Sequence, residues 1–314
     1  MQPSSAKVFR AGLLILMAAA GFIGTSQIQA SDSPFPENAL RSYSSGQPWT
    51  LPAENDTLLQ DSAPPFTGPD RGQLGTEVRG TASVAGVQEW TFTASNGKSS
   101  RFKAVIPQDI GPNHPYGMLV YLHGDGGADY DWFFERFAQV AKKNHLIPVA
   151  VLSPTSNQNG PSWWWDADAN AVFLDEALRG GMLARYSINR NRVIFTGASG
   201  GPTFLSGPWI QHFAYQYRGG SINFCGGIVL TKYSLRTGED FRRNFILFYY
   251  NGTADFLVSG AQYAAAFYRQ KGFRVSAEYP EGIGHCGFSG YMDQLMDVRV
   301  REILGAASYA HQAY

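Results

Sequence analysis

Residues 192–201 read RVIFTGASGG, an apolar and β-branched run that leads directly into a glycine-rich turn around Ser199. Residues 197–201 match the pattern G-x-S-x-G, and the segment after them is compatible with a helix. Glycine on both sides of a serine relieves the crowding of a sharp strand-to-helix turn and leaves the hydroxyl exposed. The sequence therefore predicts a nucleophile elbow with Ser199 at its tip.

Asp255 and His285 both lie in turn-rich segments downstream of Ser199. Asp255 follows an apolar run, residues 245–250, and His285 lies in the glycine-rich segment 282–287. The chain order serine, aspartate, histidine is that of α/β-hydrolases and differs from the orders of two other common serine hydrolase folds. In such a triad the histidine accepts the serine proton and the aspartate fixes the histidine tautomer. We predict these three residues as a catalytic triad that requires no metal and no other cofactor.

The predicted oxyanion donors lie on a second loop and on the elbow itself. The apolar run 118–122 leads into the sequence His-Gly-Asp-Gly-Gly at residues 123–127. We predict that the backbone N–H of Gly200, together with that of Asp125 or Gly124, holds the negative oxygen of the intermediate. One such donor typically contributes roughly 3–4 kcal/mol to transition-state stabilisation.

The spacing of these motifs resembles that of a family of exported esterases. The resemblance rests on residues 121–124, 192–201, 251–255 and 284–285, and on a predicted opening hairpin over residues 89–107. That family groups feruloyl esterases, acetylxylan esterases and poly(hydroxybutyrate) depolymerases. The resemblance covers about residues 88–305 and implies hydrolysis of a carboxylic ester through an acyl-enzyme. Pro202 and Phe204 depart from the small residues usual after the elbow in that family.

Strand-like and helix-like segments alternate along the chain. The predicted strands are residues 118–122, 147–153, 192–196, 226–231, 244–250 and 273–279. The predicted helices are residues 129–144, 169–184, 202–216, 259–271 and 289–305. This alternation predicts an α/β fold of the α/β-hydrolase type, with a mainly parallel, doubly wound sheet and the site at the carboxyl ends of its strands. We expect one such domain over residues 86–314.

The N-terminal segments predict export. Residues 1–30 hold two basic residues, an apolar run over 11–24 that is short for a membrane span, and Ala30 at the expected cleavage site. A retained signal anchor is the alternative, because Ile28 is large for the position three before the cut. Residues 31–85 are rich in Ser, Pro, Gly and Asp and predict an extended N-terminal arm, with a mobile linker as the alternative. We expect a periplasmic or secreted protein.

The charge balance bears on the partners. Cleavage after residue 30 removes two of the 25 basic residues and none of the 25 acidic residues, which leaves a net charge of −2. Such a balanced chain offers no electrostatic reason to bind nucleic acid or, after signal cleavage, a membrane surface. We expect a neutral ester as substrate, either a small molecule or a polymer, and the oligomeric state stays open.

Cys225 and Cys286 are the two cysteines of the chain. An exported chain with two cysteines usually prompts a disulfide. Cys286 follows His285 at the carboxyl end of the sheet, whereas Cys225 precedes the predicted strand 226–231 and would lie at the opposite end. A rise of ~3.3 Å per strand residue would then hold the two cysteines too far apart for a bridge. The pairing depends on that strand boundary, and the sequence leaves it open.

Trp163, Trp164 and Trp165 follow the loop after the predicted strand 147–153. This position predicts that they lie on the active-site face, at the carboxyl ends of the strands. An exposed tryptophan there would stack on a ring or an apolar chain. We predict binding of a neutral, bulky ester, either an aromatic acyl ester of the feruloyl type or a hydrophobic polyester. The alternative is that two of the three belong to the core and the third is incidental.

Three classes of function compete at this point. The first is an exported carboxylic-ester hydrolase, including a poly(hydroxyalkanoate) or other polyester depolymerase. The second is a serine peptidase of the prolyl-oligopeptidase type, although the chain lacks both a propeller and a clustered acidic site for a peptide amine. The third is a non-catalytic binding protein on a hydrolase scaffold.

Overall fold

The computed structural model describes residues 76–79, 86–230 and 235–312. The expected signal peptide and almost all of the expected arm lie outside these residues. Within the described part of the chain, no helix is long and apolar enough to span a membrane.

Nine of the described strands form one mixed sheet, in the order β1-β2-β3-β5-β4-β8-β9-β10-β11, and β6 and β7 form a separate small pair. The strands are β1 (Thr76–Arg79), β2 (Val87–Thr93), β3 (Ser99–Val105), β4 (Tyr116–Leu122), β5 (Leu146–Val151), β6 (Ser156–Asn157), β7 (Gly160–Pro161), β8 (Ile188–Ala198), β9 (Gly219–Phe224), β10 (Ile246–Tyr250) and β11 (Arg274–Glu278). Six neighbouring strands of this sheet run parallel to one another, namely β5, β4, β8, β9, β10 and β11. Strands β1, β2 and β3 add an antiparallel part at one side.

The helices between the strands cover both faces of the sheet. The α-helices are α1 (Asp129–Trp132), α2 (Phe134–Lys143), α3 (Ala167–Glu176), α4 (Gly200–Phe204), α5 (Ile210–His212), α6 (Glu239–Asn244), α7 (Val258–Gln270) and α8 (Met292–Gln312). Wider π-helical turns, Ala177–Leu183 and Leu205–Trp209, continue α3 and α4. Four of the five predicted helical segments match the observed helices to within about four residues, whereas α8 continues seven residues beyond the predicted end at 305. Helix α6 was not predicted from the sequence.

The residues of β4 show why the sheet carries two cores. Successive side chains of a strand point to opposite faces, so Val120 packs in one apolar cluster and Tyr121 in the other. The first cluster holds apolar residues of α3, α4 and α7, and the second holds Phe137 of α2 and Met296 of α8. All six residues of β5 are buried, as expected for a strand covered on both faces. The predicted doubly wound α/β architecture is therefore confirmed.

One predicted strand is wrong. The strand predicted at 226–231 is instead β9, Gly219–Phe224, and residues 226–230 have no regular secondary structure. Strand β9 contains two polar residues, Ser221 and Asn223, so its sequence does not look like a buried strand. Both side chains form hydrogen bonds inside the sheet. Ser221 Oγ donates to Asn223 Oδ1 at 3.0 Å, and Asn223 Nδ2 donates to the Phe248 carbonyl at 3.1 Å. This shift moves Cys225 from the start of a strand to the carboxyl end of one.

Candidate active site

Ser199 lies at the tip of a sharp turn between β8 and α4. Its backbone has φ 57° and ψ −111°, a conformation that costs a non-glycine residue on the order of 1–3 kcal/mol. The turn passes close to the end of β4, because a Cβ at Gly197 or Gly201 would lie 2.2 or 2.3 Å from the Leu122 carbonyl oxygen. Glycine is therefore required at both positions, and the serine is held in the strained geometry of an elbow.

The structure brings Ser199, His285 and Asp255 into one hydrogen-bonded chain. His285 Nε2 lies 2.9 Å from Ser199 Oγ, and His285 Nδ1 lies 2.9 Å from Asp255 Oδ1. The Asp255 side chain is fully buried, and its Oδ1 also accepts from the Leu257 N–H at 2.8 Å. Because an ionised carboxylate only accepts, Nδ1 of His285 carries the ring proton and leaves Nε2 to accept the serine hydroxyl.

Two further features lie beside His285. The first is Phe256, which was not found from the sequence; its ring centroid lies 4.4 Å from that of His285 while 64% of the residue stays exposed. The second is a disulfide between Cys225 and Cys286, which the sequence left open, with a Cα–Cα distance of 5.2 Å. Cys225 follows the carboxyl end of β9, beside β8, so the disulfide ties the histidine loop to the strand adjacent to the elbow.

The residues expected to hold an oxyanion differ in their hydrogen bonds. The Gly124 N–H donates to both carboxylate oxygens of Asp129, at 3.1 and 3.0 Å, so this donor is engaged within the protein. Among the described residues, the N–H groups of Asp125 and Gly200 have no protein acceptor. The two residues lie side by side, since a Cβ at Gly200 would be 2.6 Å from Asp125 Oδ1. Asp125 and Gly200 are therefore the remaining pair of candidate donors.

His123 is fully buried and shapes the loop that carries Asp125. Its Nε2 accepts from the Ser153 N–H at 2.9 Å, so Nδ1 is the protonated nitrogen and donates to the Gly124 carbonyl at 2.6 Å. Burial lowers the pKa of His123, while the Gly124 carbonyl and the carboxylates of Asp129 and Asp125 act in the opposite direction. The residue is a neutral structural bridge at pH 7.

The three consecutive tryptophans have three different environments. Trp163 is fully buried and packs against Phe204 and His123, with ring centroids 5.2 and 5.8 Å away. The prediction that Trp163 contacts substrate is therefore wrong, because the loop turns its ring into the core. Trp164 is partly exposed and donates from Nε1 to Asp125 Oδ2 at 2.7 Å. Trp165 is 42% exposed.

A groove lies beside the elbow and encloses about 480 Å³, open solvent included. Much of its lining is apolar, with Trp164, Trp165, Phe204, Pro208, Ile228 and Leu230 among its residues. Thr203 also lines it and donates to the Ser199 carbonyl at 3.0 Å, which fixes the groove next to the elbow. Two carboxylates, Asp166 and Asp168, add polar lining, and Asp166 pairs with Lys98 at 2.9 Å.

Neither a family model nor a curated protein matches this chain. Solved structures do match it. One is EstE1, a thermostable carboxylesterase cloned from a metagenomic library, with a TM-score of 0.51, 12% identity, and coverage of 72% of this chain and 91% of EstE1. Another is a fungal esterase from Rhizomucor miehei, with a TM-score of 0.50, 14% identity, and coverage of 76% and 86%. This chain has the α/β-hydrolase fold.

Within that fold, the loops that carry the candidate residues start at one edge of the sheet. Leu122 pairs with Gly197, Ala198 with Phe224, and Phe224 with Tyr250. The ends of β4, β8, β9 and β10 are thus aligned, and their loops bring Asp125, Ser199, Cys225 and Asp255 to one place. This arrangement can activate a hydroxyl, hold a negative oxygen and hold an apolar group in the adjacent groove.

Proposed function

We propose that this protein is a serine carboxylic-ester hydrolase. The observation that carries the proposal is the hydrogen-bonded chain from Ser199 through His285 to the buried Asp255, on a strained turn at the carboxyl edge of the sheet. A serine hydroxyl is a weak nucleophile at neutral pH and needs an adjacent base, which His285 Nε2 supplies. The α/β-hydrolase fold of the chain supports this assignment.

The reaction follows from the positions of these groups. Ser199 Oγ attacks the ester carbonyl carbon while His285 Nε2 takes the hydroxyl proton, and the carbonyl oxygen becomes negative. The N–H groups of Asp125 and Gly200 donate to that oxygen. The intermediate then expels the alcohol, which receives the proton from His285, and an acyl group remains on Ser199. A water molecule, deprotonated by His285, releases the carboxylic acid by the reverse sequence.

We further propose a neutral, bulky ester as the substrate, either an aromatic acyl ester or a hydrophobic polyester. The groove beside Ser199 supports this choice, because Trp164, Trp165, Phe204 and Leu230 give it an aromatic and apolar lining. Trp165 is the exposed aromatic of this set and is the residue we assign to stacking on the substrate.

We also propose that the chain is an exported member of the esterase family that groups feruloyl esterases, acetylxylan esterases and poly(hydroxybutyrate) depolymerases. The motif spacing and the N-terminal segment support the proposal. A disulfide between Cys225 and Cys286 is in keeping with it, since disulfides persist mainly in oxidising compartments outside the cytoplasm.

Turnover by the purified protein tests the proposed function. The substrates are a small acetyl ester, methyl ferulate, a film of an aliphatic polyester and a chromogenic peptide, each also incubated with the Ser199→Ala variant. We expect ester hydrolysis that depends on Ser199. We also expect either a higher kcat/KM for methyl ferulate than for the acetyl ester, or Ser199-dependent release of soluble products from the polyester film. Ester turnover that survives Ser199→Ala, or peptide cleavage that exceeds ester cleavage, would contradict the proposal.

A further inference from the structure

The Asp125 carboxylate occupies an unusual position, directly beside the two candidate oxyanion donors. Its Oδ1 lies against the backbone of Gly200, where a Cβ would approach it to 2.6 Å. A negative carboxylate in this place repels the negative oxygen that develops during ester hydrolysis. Its orientation therefore affects the reaction directly.

Two side chains hold this carboxylate in place. Ser162 Oγ donates to Asp125 Oδ1 at 2.8 Å, and Trp164 Nε1 donates to Asp125 Oδ2 at 2.7 Å. Hydrogen bonds to a charged acceptor are stronger than bonds between neutral groups. Together the two donors turn the carboxylate toward the loop that follows β7 and stabilise its negative charge.

The backbone around Asp125 depends on such anchors because it is rich in glycine. Gly126 and Gly127 have φ of 89° and 73°, in a region that only glycine adopts readily. One backbone bond, from Gly126 N–H to the Pro161 carbonyl at 3.0 Å, joins this loop to the segment before Ser162. The side chain of Asp125 adds two hydrogen bonds between the segments, from Ser162 and from Trp164.

The segment that carries Ser162 and Trp164 is itself rigidly held. The Ser162 carbonyl accepts from Ser153 Oγ at 2.8 Å and from Thr155 Oγ1 at 3.0 Å. Asn170 Nδ2 donates to the Trp163 carbonyl at 2.7 Å. All of these residues are at least nine-tenths buried. A fixed platform therefore presents the two donors to Asp125.

We propose that Trp164 is a positioning residue for the oxyanion site. Its indole N–H, with the Ser162 hydroxyl, holds the Asp125 carboxylate away from the reacting oxygen and fixes the Asp125 N–H toward it. The inference rests on the proposed ester hydrolase function and gives Trp164 a role that does not depend on substrate size. Trp165, one residue further, has no such bond to the oxyanion loop in the described structure, and its proposed role is stacking on the substrate.

The Trp164→Phe variant separates this role from substrate stacking, because it keeps an aromatic ring and removes the donor. We expect kcat for a small acetyl ester to fall about tenfold, with KM changed less than twofold, since a displaced donor loses part of the stabilisation that a deleted donor loses entirely. Inhibition by a small trifluoromethyl ketone, which forms a tetrahedral oxyanion on the serine, should weaken by a similar factor. Trp132→Phe is the matched control, because Trp132 is 54% exposed and lies outside the site.

A double-mutant cycle with Asp125→Ala tests the coupling. Asp125→Ala keeps the backbone N–H and removes the carboxylate, so Trp164→Phe should cause no further loss of kcat in that background. Ser162→Ala gives a second way to remove one donor if Trp164→Phe folds poorly, and it should also lower kcat. Wild-type kcat in a folded Trp164→Phe variant, or in Ser162→Ala where Trp164→Phe does not fold, would overturn the inference, and so would fully additive losses with Asp125→Ala. Absence of Ser199-dependent ester turnover in the wild-type protein would instead overturn the proposed function.

Discussion

The two walls of the candidate site are fixed by different means. The histidine wall consists of Asp255, Phe256, His285 and Cys286, and a disulfide from Cys286 ties it to the end of β9. The oxyanion wall consists of residues 123–127 and 162–164, and noncovalent bonds hold it, from buried polar groups such as His123, Ser153 and Asn170 and from Ser162 to the exposed Asp125. The side chain of His285 is 29% exposed, whereas His123 on the oxyanion wall is fully buried.

The difference in exposure and anchoring between the two walls fits the different proposed roles of their residues. In the proposed reaction a general base must reach both substrate and water, and His285 is partly exposed while one buried carboxylate and a covalent tether orient it. A backbone donor has to keep one direction, and a buried hydrogen-bond network gives its loop that rigidity.

The largest effect is expected from the reacting groups of the histidine wall. His285→Ala and Asp255→Asn should each lower kcat/KM by roughly 10⁴-fold or more, since members of a triad act as a unit. Thermal unfolding and circular dichroism should show that both variants fold. A variant that keeps near-normal turnover would remove that residue from the mechanism.

The next effect distinguishes Trp163 from Trp165. Trp163→Ala removes a fully buried ring from the core, so we expect the free energy of unfolding to fall by about 3–5 kcal/mol. Trp165→Ala removes an exposed ring, so stability should change by less than about 0.5 kcal/mol. In the latter variant, KM should rise for a bulky aromatic ester more than for an acetyl ester. If Trp165→Ala changed KM by the same factor for both esters, Trp165 would not contact the bulky part of the substrate.

The disulfide of the histidine wall should contribute somewhat less to stability than the buried ring of Trp163. It closes a loop with a sequence separation of 61 residues, and loss of such a bond typically costs about 2–4 kcal/mol. The double variant Cys225→Ser, Cys286→Ser should therefore unfold at lower urea concentration and should have a lower kcat, because the loop of His285 is released. Dithiothreitol should affect the wild-type protein in the same direction and leave the double variant unchanged. A reduced wild-type protein with unaltered kcat would show that the tether does not position His285.

The smallest effect concerns pH and the oxyanion wall. Burial lowers the pKa of His123 below its ordinary value, so the unfolded chain takes up a proton at higher pH than the folded protein. The stability that depends on neutral His123 is complete above about pH 6.5 and is lost as pH falls from there toward the lowered pKa. We expect the wild-type protein to lose more stability than His123→Gln between about pH 7.5 and about pH 5.5 in urea unfolding. Identical losses would show that His123 does not contribute to this pH dependence.

The residues that the sequence located most closely are those whose signal is local. Glycines around Ser199 and a strand-like run before Asp255 encode a turn at the end of a strand, and the parallel sheet brings such turns to one edge. The resulting distances join Ser199, His285 and Asp255 as the motifs indicated.

The remaining features depend on contacts between distant segments. Ser221 and Asn223 are polar, and their hydrogen bonds to each other and to the Phe248 carbonyl satisfy them inside the sheet, where β9 pairs with β8 and β10 and places Cys225 at its carboxyl end. Likewise, three adjacent tryptophans look alike in sequence, and only the core around Phe204 and the carboxylate of Asp125 give each a different role. Gly124 looks equivalent to Asp125 as a donor until Asp129 is seen to engage it.

Labelling with a fluorophosphonate tests directly whether Ser199 is the activated nucleophile, because this reagent forms a stable adduct with an activated serine. We expect a single adduct per molecule, located on Ser199 by peptide mass spectrometry, with parallel loss of ester hydrolysis. Labelling should be absent in Ser199→Ala and strongly slowed in His285→Ala. An adduct on any other residue, or full ester hydrolysis by protein that carries the adduct on Ser199, would contradict this role of Ser199.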